Sequence, residues 1–146
     1  MKKFAFPLGR VLDFRRLEAR LEEVKLEALY AELRALDTRE AALIAQKAQS
    51  EKALRAAASV TGFDLERFAT FRDAMNVEQK RLEAAHADCR RRVDAQLAVL
   101  MVKHREVRLL EKLKEKRFET WEKEMFKEID HQADEAYLAK WNRAND

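Results

Sequence analysis

Apolar residues recur along this chain in alternating steps of four and three, over two long stretches with one break between them. In the first stretch the face runs through Leu8, Leu12, Arg15, Ala19, Glu22, Leu26, Leu29, Leu33, Leu36, Glu40, Leu43, Lys47, Ser50, Leu54 and Ala57. That spacing is a heptad seam, the signature of a helix that packs along another helix. A second stripe, Leu17, Leu21, Val24, Ala28, Ala31, Ala35, Ala42 and Ala45, is expected to widen the apolar face on one side. Its alanines would let another helix approach closely. The second stretch carries Leu65, Phe68, Phe71, Met75, Leu82, Cys89, Val93, Leu97, Leu100, Val107, Leu110 and Leu113 at helical spacing.

The break falls near Val60-Thr61-Gly62-Phe63. Only two glycines and one proline occur in 146 residues, and Gly62 is the one breaker beyond the N-terminal Pro7 and Gly9. Few breakers mean few turns. The pattern therefore predicts an all-α fold in one domain, residues 1–146: a long antiparallel two-helix coiled-coil hairpin. The first helix is expected over about 8–58, the turn over 59–63 and a longer second helix over 64–142. Pro7 suits the first helical turn, where its missing N–H costs nothing. Asp64 reads as the N-cap of the second helix, with Glu66 favouring the dipole in its first turn. At about 1.5 Å per residue, helices of these lengths would extend about 75 and 115 Å. The core seam is expected at Leu26, Leu29, Leu33, Leu36, Leu43, Leu82, Val93, Leu100 and Val107.

Pairing about Thr61 matches Leu8 with Lys114, so the stretch from Phe118 to Trp141 is expected to overhang. It holds Phe118, Trp121, Met125, Phe126, Ile129, Tyr137, Leu138 and Trp141, among them both tryptophans. Large apolar groups outside a seam mark a partner-binding surface. The alternatives are that Phe4, Phe6 and Leu8 fold back over some of them, or that the tail bends or dimerises.

Composition supports the rods: charged residues make up 39% and aromatics 8%, as in coiled coils. A net charge of +3 is too mild to argue for nucleic acid. Charge is segregated, however. Val102–Arg117 has seven basic residues against three acidic, and Phe118–Asp146 has four against eight. Such blocks steer encounters and fix register, or form intrahelical pairs such as Glu111–Lys114 and Glu124–Lys127. Arg90-Arg91-Arg92 fans around a helix and reads as a solvated or ion-paired surface. The single Cys89 excludes an intramolecular disulfide and suits a reducing compartment. Met1-Lys2-Lys3 has the charge of a secretory n-region, but the apolar run after it is too short for a signal peptide. No apolar run is long enough to span a membrane.

Catalytic chemistry finds no footing. His86, His104 and His131 are too far apart on one helix to converge on a metal. Cys89 and His86 lack a third group and a pocket, so Cys89 reads as a small apolar seam residue and His86 as a packed or half-exposed histidine near the seam. Phosphate loops, nucleophile elbows and Cys-x-x-Cys pairs are missing. A non-enzyme with no cofactor, no metal, no small-molecule substrate and no nucleic-acid partner is expected.

The opening Phe4-Ala5-Phe6-Pro7-Leu8-Gly9-Arg10-Val11-Leu12-Asp13-Phe14-Arg15 resembles the Phe-x-Phe-x-Leu-x-x-Val-Leu-x-x-Arg start of the FliJ family. These are small proteins of the bacterial flagellar type III export apparatus. Leu110-Glu111-Lys112-Leu113-Lys114-Glu115-Lys116-Arg117 is similar to that family's basic segment, and Asp134-Glu135-Ala136 sits where the family carries an Asp-Glu pair. Trp121, Tyr137 and Trp141 make this tail richer in aromatics than the family pattern. The resemblance implies a stalk like that of rotary ATPases, docking at the centre of the hexameric export ATPase and promoting its assembly. It further implies links to the export-gate membrane protein and to export chaperones, at the cytoplasmic face of the inner membrane. Phe4, Phe6, Leu110, Phe118, Trp121, Met125, Asp134, Glu135 and Trp141 are then the partner-binding candidates. The injectisome counterpart of that stalk, or a self-associating scaffold, are the alternatives.

Overall fold

The computed structural model describes residues 3–144. Met1, Lys2 and Asp146, which enter the charge and leader arguments above, lie outside the described residues. Two helices form the fold: α1, Gly9–Ala56, and α2, Gly62–Ala144. They pack against each other as an antiparallel hairpin, with α2 the longer at 83 residues against 48. The described residues contain no strand.

The ends of these helices differ from the sequence expectation, each for a local reason. Pro7 precedes α1 instead of lying in its first turn. The Gly9 amide donates to the Phe6 carbonyl at 3.0 Å, closing a turn with Pro7 at its second position, where a fixed φ is favoured. The Leu12 amide then donates to the Leu8 carbonyl at 2.9 Å, which makes Leu8 the N-cap. α1 stops at Ala56, two residues short of expectation. At the other side of the break, Thr61 and not Asp64 is the N-cap. The Asp64 amide donates to Thr61 Oγ1 at 3.2 Å, and the Thr61 amide and hydroxyl donate to Asp64 Oδ2 at 3.0 and 2.7 Å. This reciprocal capping box starts α2 at Gly62. Those hydrogen bonds hold the Asp64 carboxyl below its ordinary pKa. Gly62 has no positive φ, and a Cβ on it would meet open space.

Packing divides the chain into two units. The first comprises 21–101. Leu26 and Leu43 from α1 and Leu82, Cys89 and Val93 from α2 are buried there, with Leu29, Leu33, Leu36, Leu97 and Leu100 half-buried beside them. Each fully covered leucine contributes about 1.5–3 kcal/mol. Cross-helix polar contacts fix the register. Lys47 Nζ donates to Asn76 Oδ1 at 3.0 Å, Gln96 Nε2 donates to the Glu22 carbonyl at 3.1 Å, and Arg92 Nη1 meets Glu32 Oε1 at 2.9 Å. The bond to Glu32 holds the Arg92 guanidinium above its ordinary pKa. Cys89 Sγ lies 3.6 Å from the Leu29 carbonyl, and burial pushes its thiol pKa up.

The second stripe of α1 does not widen the seam. Leu21 and Val24 are 55% and 58% exposed, and Ala28, Ala31, Ala35, Ala42 and Ala45 are exposed too. Each of these residues follows a seam residue by two positions. Two positions turn a helix by about 200°, which places the stripe on nearly the opposite face.

The other unit comprises 1–20 and 102–146. Leu12 is 2% exposed and Ala19 is buried, with Val107 and Leu110 half-buried. A charge cluster crosses this layer. Arg15 Nη1 lies 2.8 Å from Glu18 Oε2 and 3.3 Å from Glu106 Oε2, and Lys103 Nζ lies 3.4 Å from Glu18 Oε1 and 3.8 Å from Glu106 Oε2. The Arg15 hydrogen bond holds the Glu18 carboxyl below its ordinary range and raises the Arg15 guanidinium. Glu106 Oε2 is buried without a hydrogen bond, so the two cations offset its charge through space. Glu111 bonds across the helices to Arg16 at 2.8 Å, in place of the intrahelical Lys114 pair. No described helix is long and apolar enough to cross a membrane.

Candidate functional site

The sequence-derived partner candidates all fall in the unit of 1–20 and 102–146, and the fold sorts them into two groups. Phe4, on the non-helical segment before α1, lies edge-on to Phe118 with ring centroids 5.1 Å apart. It also lies 5.8 Å from Trp121, while Phe118 and Trp121 are 5.6 Å apart. Phe118 is 43% exposed. Phe4, Phe6, Trp121, Met125 and Leu110 are half-buried. The overhang expected from Phe118 onward thus begins later. The turn at Pro7 separates this lead-in from α1, and Phe4 on it meets the aromatics Phe118 and Trp121.

The second group is uncovered. Phe126, Tyr137, Leu138 and Trp141 are between 55% and 66% exposed, and Asp134 and Glu135 are exposed. His131 Nδ1 lies 3.5 Å from Glu135 Oε1. This segment offers a helical face of large apolar groups set among carboxylates. Aromatic residues at that density suit a protein partner.

Sequence reasoning missed one constellation in the unit of 21–101. His86 Nε2 lies 2.7 Å from Asp37 Oδ1, and one ligand atom each from Asp37, Glu40 and His86 falls within 4.8 Å of the others. The neighbours of His86 come from α1, so no spacing along its own helix reveals them. Asp37 and Glu40 are three apart, hence on one face. A divalent transition cation would find two oxygen ligands and one nitrogen there. Asp37 is exposed, and the hydrogen bond to His86 already links the helices. Of the three consecutive arginines, Arg91 pairs with Asp88 at 3.0 Å and Arg92 with Glu32 at 2.9 Å.

The fold and surface together define a class: a two-helix coiled-coil hairpin with an uncovered C-terminal helical segment. Comparison with family models, with curated proteins and with solved structures found no match to this chain.

Proposed function

We propose that this chain is a non-enzymatic coiled-coil component of a bacterial type III protein export apparatus. It docks at the centre of the hexameric export ATPase, promotes its assembly, and links it to the export gate and to export chaperones. The observation that carries this reading is the packing of Phe4 on Phe118 and Trp121. The aromatic opening on which the FliJ resemblance rests meets the C-terminal half of α2. It leaves Tyr137, Leu138 and Trp141 uncovered. An uncovered apolar helix face lets a partner bury large side chains at little cost in ordering.

Mixing the purified chain with the hexameric export ATPase of the same organism tests the proposal, with hexamer formation and ATP hydrolysis followed together. Stimulation at near one chain per ring is expected, and it should weaken in Tyr137→Ala/Trp141→Ala with helicity unchanged. A folded, helical chain that neither binds nor stimulates the ATPase overturns the proposal.

A further inference from the structure

The exposed stripe on α1 is itself a heptad seam. Within the unit of 21–101 it runs Leu21, Val24, Ala28, Ala31, Ala35 and Thr38, in steps of three and four, all exposed, with Ala28 bordering the groove beside Ala95 and Val99 of α2. The Thr38 hydroxyl donates to the Arg34 carbonyl at 2.9 Å, so its polar group is already partnered within α1. A seam at this spacing fits another helix, and small residues at its centre permit a close approach.

The charges that flank the stripe specify which helix. Glu27 and Arg34 line one edge and Lys25 and Glu32 the other, all exposed. On each edge the sign reverses every seven residues. Two antiparallel copies of a heptad seam bring like edges together, and a register that layers Ala28 on Ala31 of the second copy is selected by these charges. It sets Glu27 opposite Arg34 and Lys25 opposite Glu32, each twice by symmetry. Shifting by one heptad sets Glu27 opposite Glu27 and Lys25 opposite Lys25. The opposite shift sets Arg34 opposite Arg34 and Glu32 opposite Glu32. A parallel pair fares no better, because Glu27 then faces Glu32 and Arg34 faces Arg39. At Lys25, Glu27, Glu32 and Arg34 the first arrangement is attractive and its three competitors are repulsive, which is how coiled coils choose register and orientation.

We infer that the face formed by Leu21, Val24, Ala28, Ala31 and Ala35 binds a second copy of this chain, antiparallel, with Glu27–Arg34 and Lys25–Glu32 pairs across the interface. Existing bonds do not oppose it. Lys25 holds Glu22 at 2.8 Å and Glu32 holds Arg92 at 2.9 Å, so each keeps further donor or acceptor capacity outward. The buried seam residues Leu26, Leu43, Leu82, Cys89 and Val93 lie outside the stripe, so the intramolecular seam is left intact. This inference does not rest on the export reading.

Sedimentation of the full chain across a concentration series up to about 100 μM tests it. A species of twice the 17.1 kDa chain mass is expected. Glu27→Arg sets arginine against Arg34 and should weaken association about tenfold or more. Arg34→Glu on its own should do the same, and the double exchange Glu27→Arg/Arg34→Glu should restore association. Circular dichroism should show the same helicity in all three variants, since both residues are exposed. A monomer at every concentration overturns the inference. So does a dimer indifferent to the single exchanges, or one that the double exchange fails to restore.

Discussion

Phe4 stands perpendicular to Phe118, edge to face, with centroids 5.1 Å apart. The residue that precedes the first helix thereby becomes a neighbour of the second helix's aromatics. Edge-to-face pairs contribute about 0.5–1.5 kcal/mol beyond their buried area. Phe4→Ala should therefore lower the thermal midpoint and shift part of the tryptophan emission to the red, as Trp121 gains water. Trp141 is already 57% exposed and should not contribute to that shift. An unchanged spectrum would show that Phe4 does not shield Trp121.

Leu12 is almost wholly covered, at 2% exposure, so removing its branched end leaves a void between the helices. Leu12→Ala should cost about 2–4 kcal/mol, read from urea unfolding. Leu17→Ala, at 56% exposure on the same helix, should change stability by less than about 0.5 kcal/mol.

The capping box at the turn gives a pH signature. Hydrogen bonds from Thr61 lower the Asp64 pKa in the folded state. A depressed carboxylate contributes fully above its ordinary pKa and loses that contribution as pH falls through the folded value. Stability should thus drop on acidification below about pH 4, and Asp64→Asn should flatten part of that drop. Thr61→Ala removes the cap and should cost about 1 kcal/mol, checked by thermal melts at neutral pH.

Gly62 lies in the first turn of α2 with negative φ and open space about its Cα. Gly62→Ala should stabilise the protein by about 0.5 kcal/mol through the unfolded chain. A large loss instead would mean that the turn depends on glycine's freedom.

Cys89 is 1% exposed, with its thiol pKa pushed up by burial. Thiolate is the reactive form, so alkylation by iodoacetamide at neutral pH should be negligible in the folded protein and rapid in denaturant.

Much of the fold was legible in the sequence because helical periodicity is a local property. The three-and-four spacing of Leu26, Leu43, Leu82 and Val93 coincides with positions that the fold buries, and two helices of unequal length follow from one break. What was not legible depends on angles and on the other helix. Leu21 and Val24 belong to a second apolar row, but the row's direction, about 200° from the seam, emerges only when the offset of two residues is converted to rotation. Thr61 takes the N-cap position expected of Asp64 because either side chain can cap, and only geometry shows which amide each meets. The Asp37–His86 bond and the covering of Trp121 by Phe4 join distant residues, so no window along the chain contains them.

The cross-helix contacts carry one more consequence, for the order in which the chain folds. Bonded partners are 29 residues apart at Lys47–Asn76, 49 at His86–Asp37, 60 at Arg92–Glu32, 74 at Gln96–Glu22, 85 at Lys103–Glu18 and 95 at Arg16–Glu111. Each layer shortens the loop that the next must close. The first closure near Thr61 therefore bears most of the entropic cost, and a direct closure at twice the length adds only about 0.6 kcal/mol. Folding should zip outward from the capped turn, with Phe4 the last to lock and, on unfolding, the first to let go.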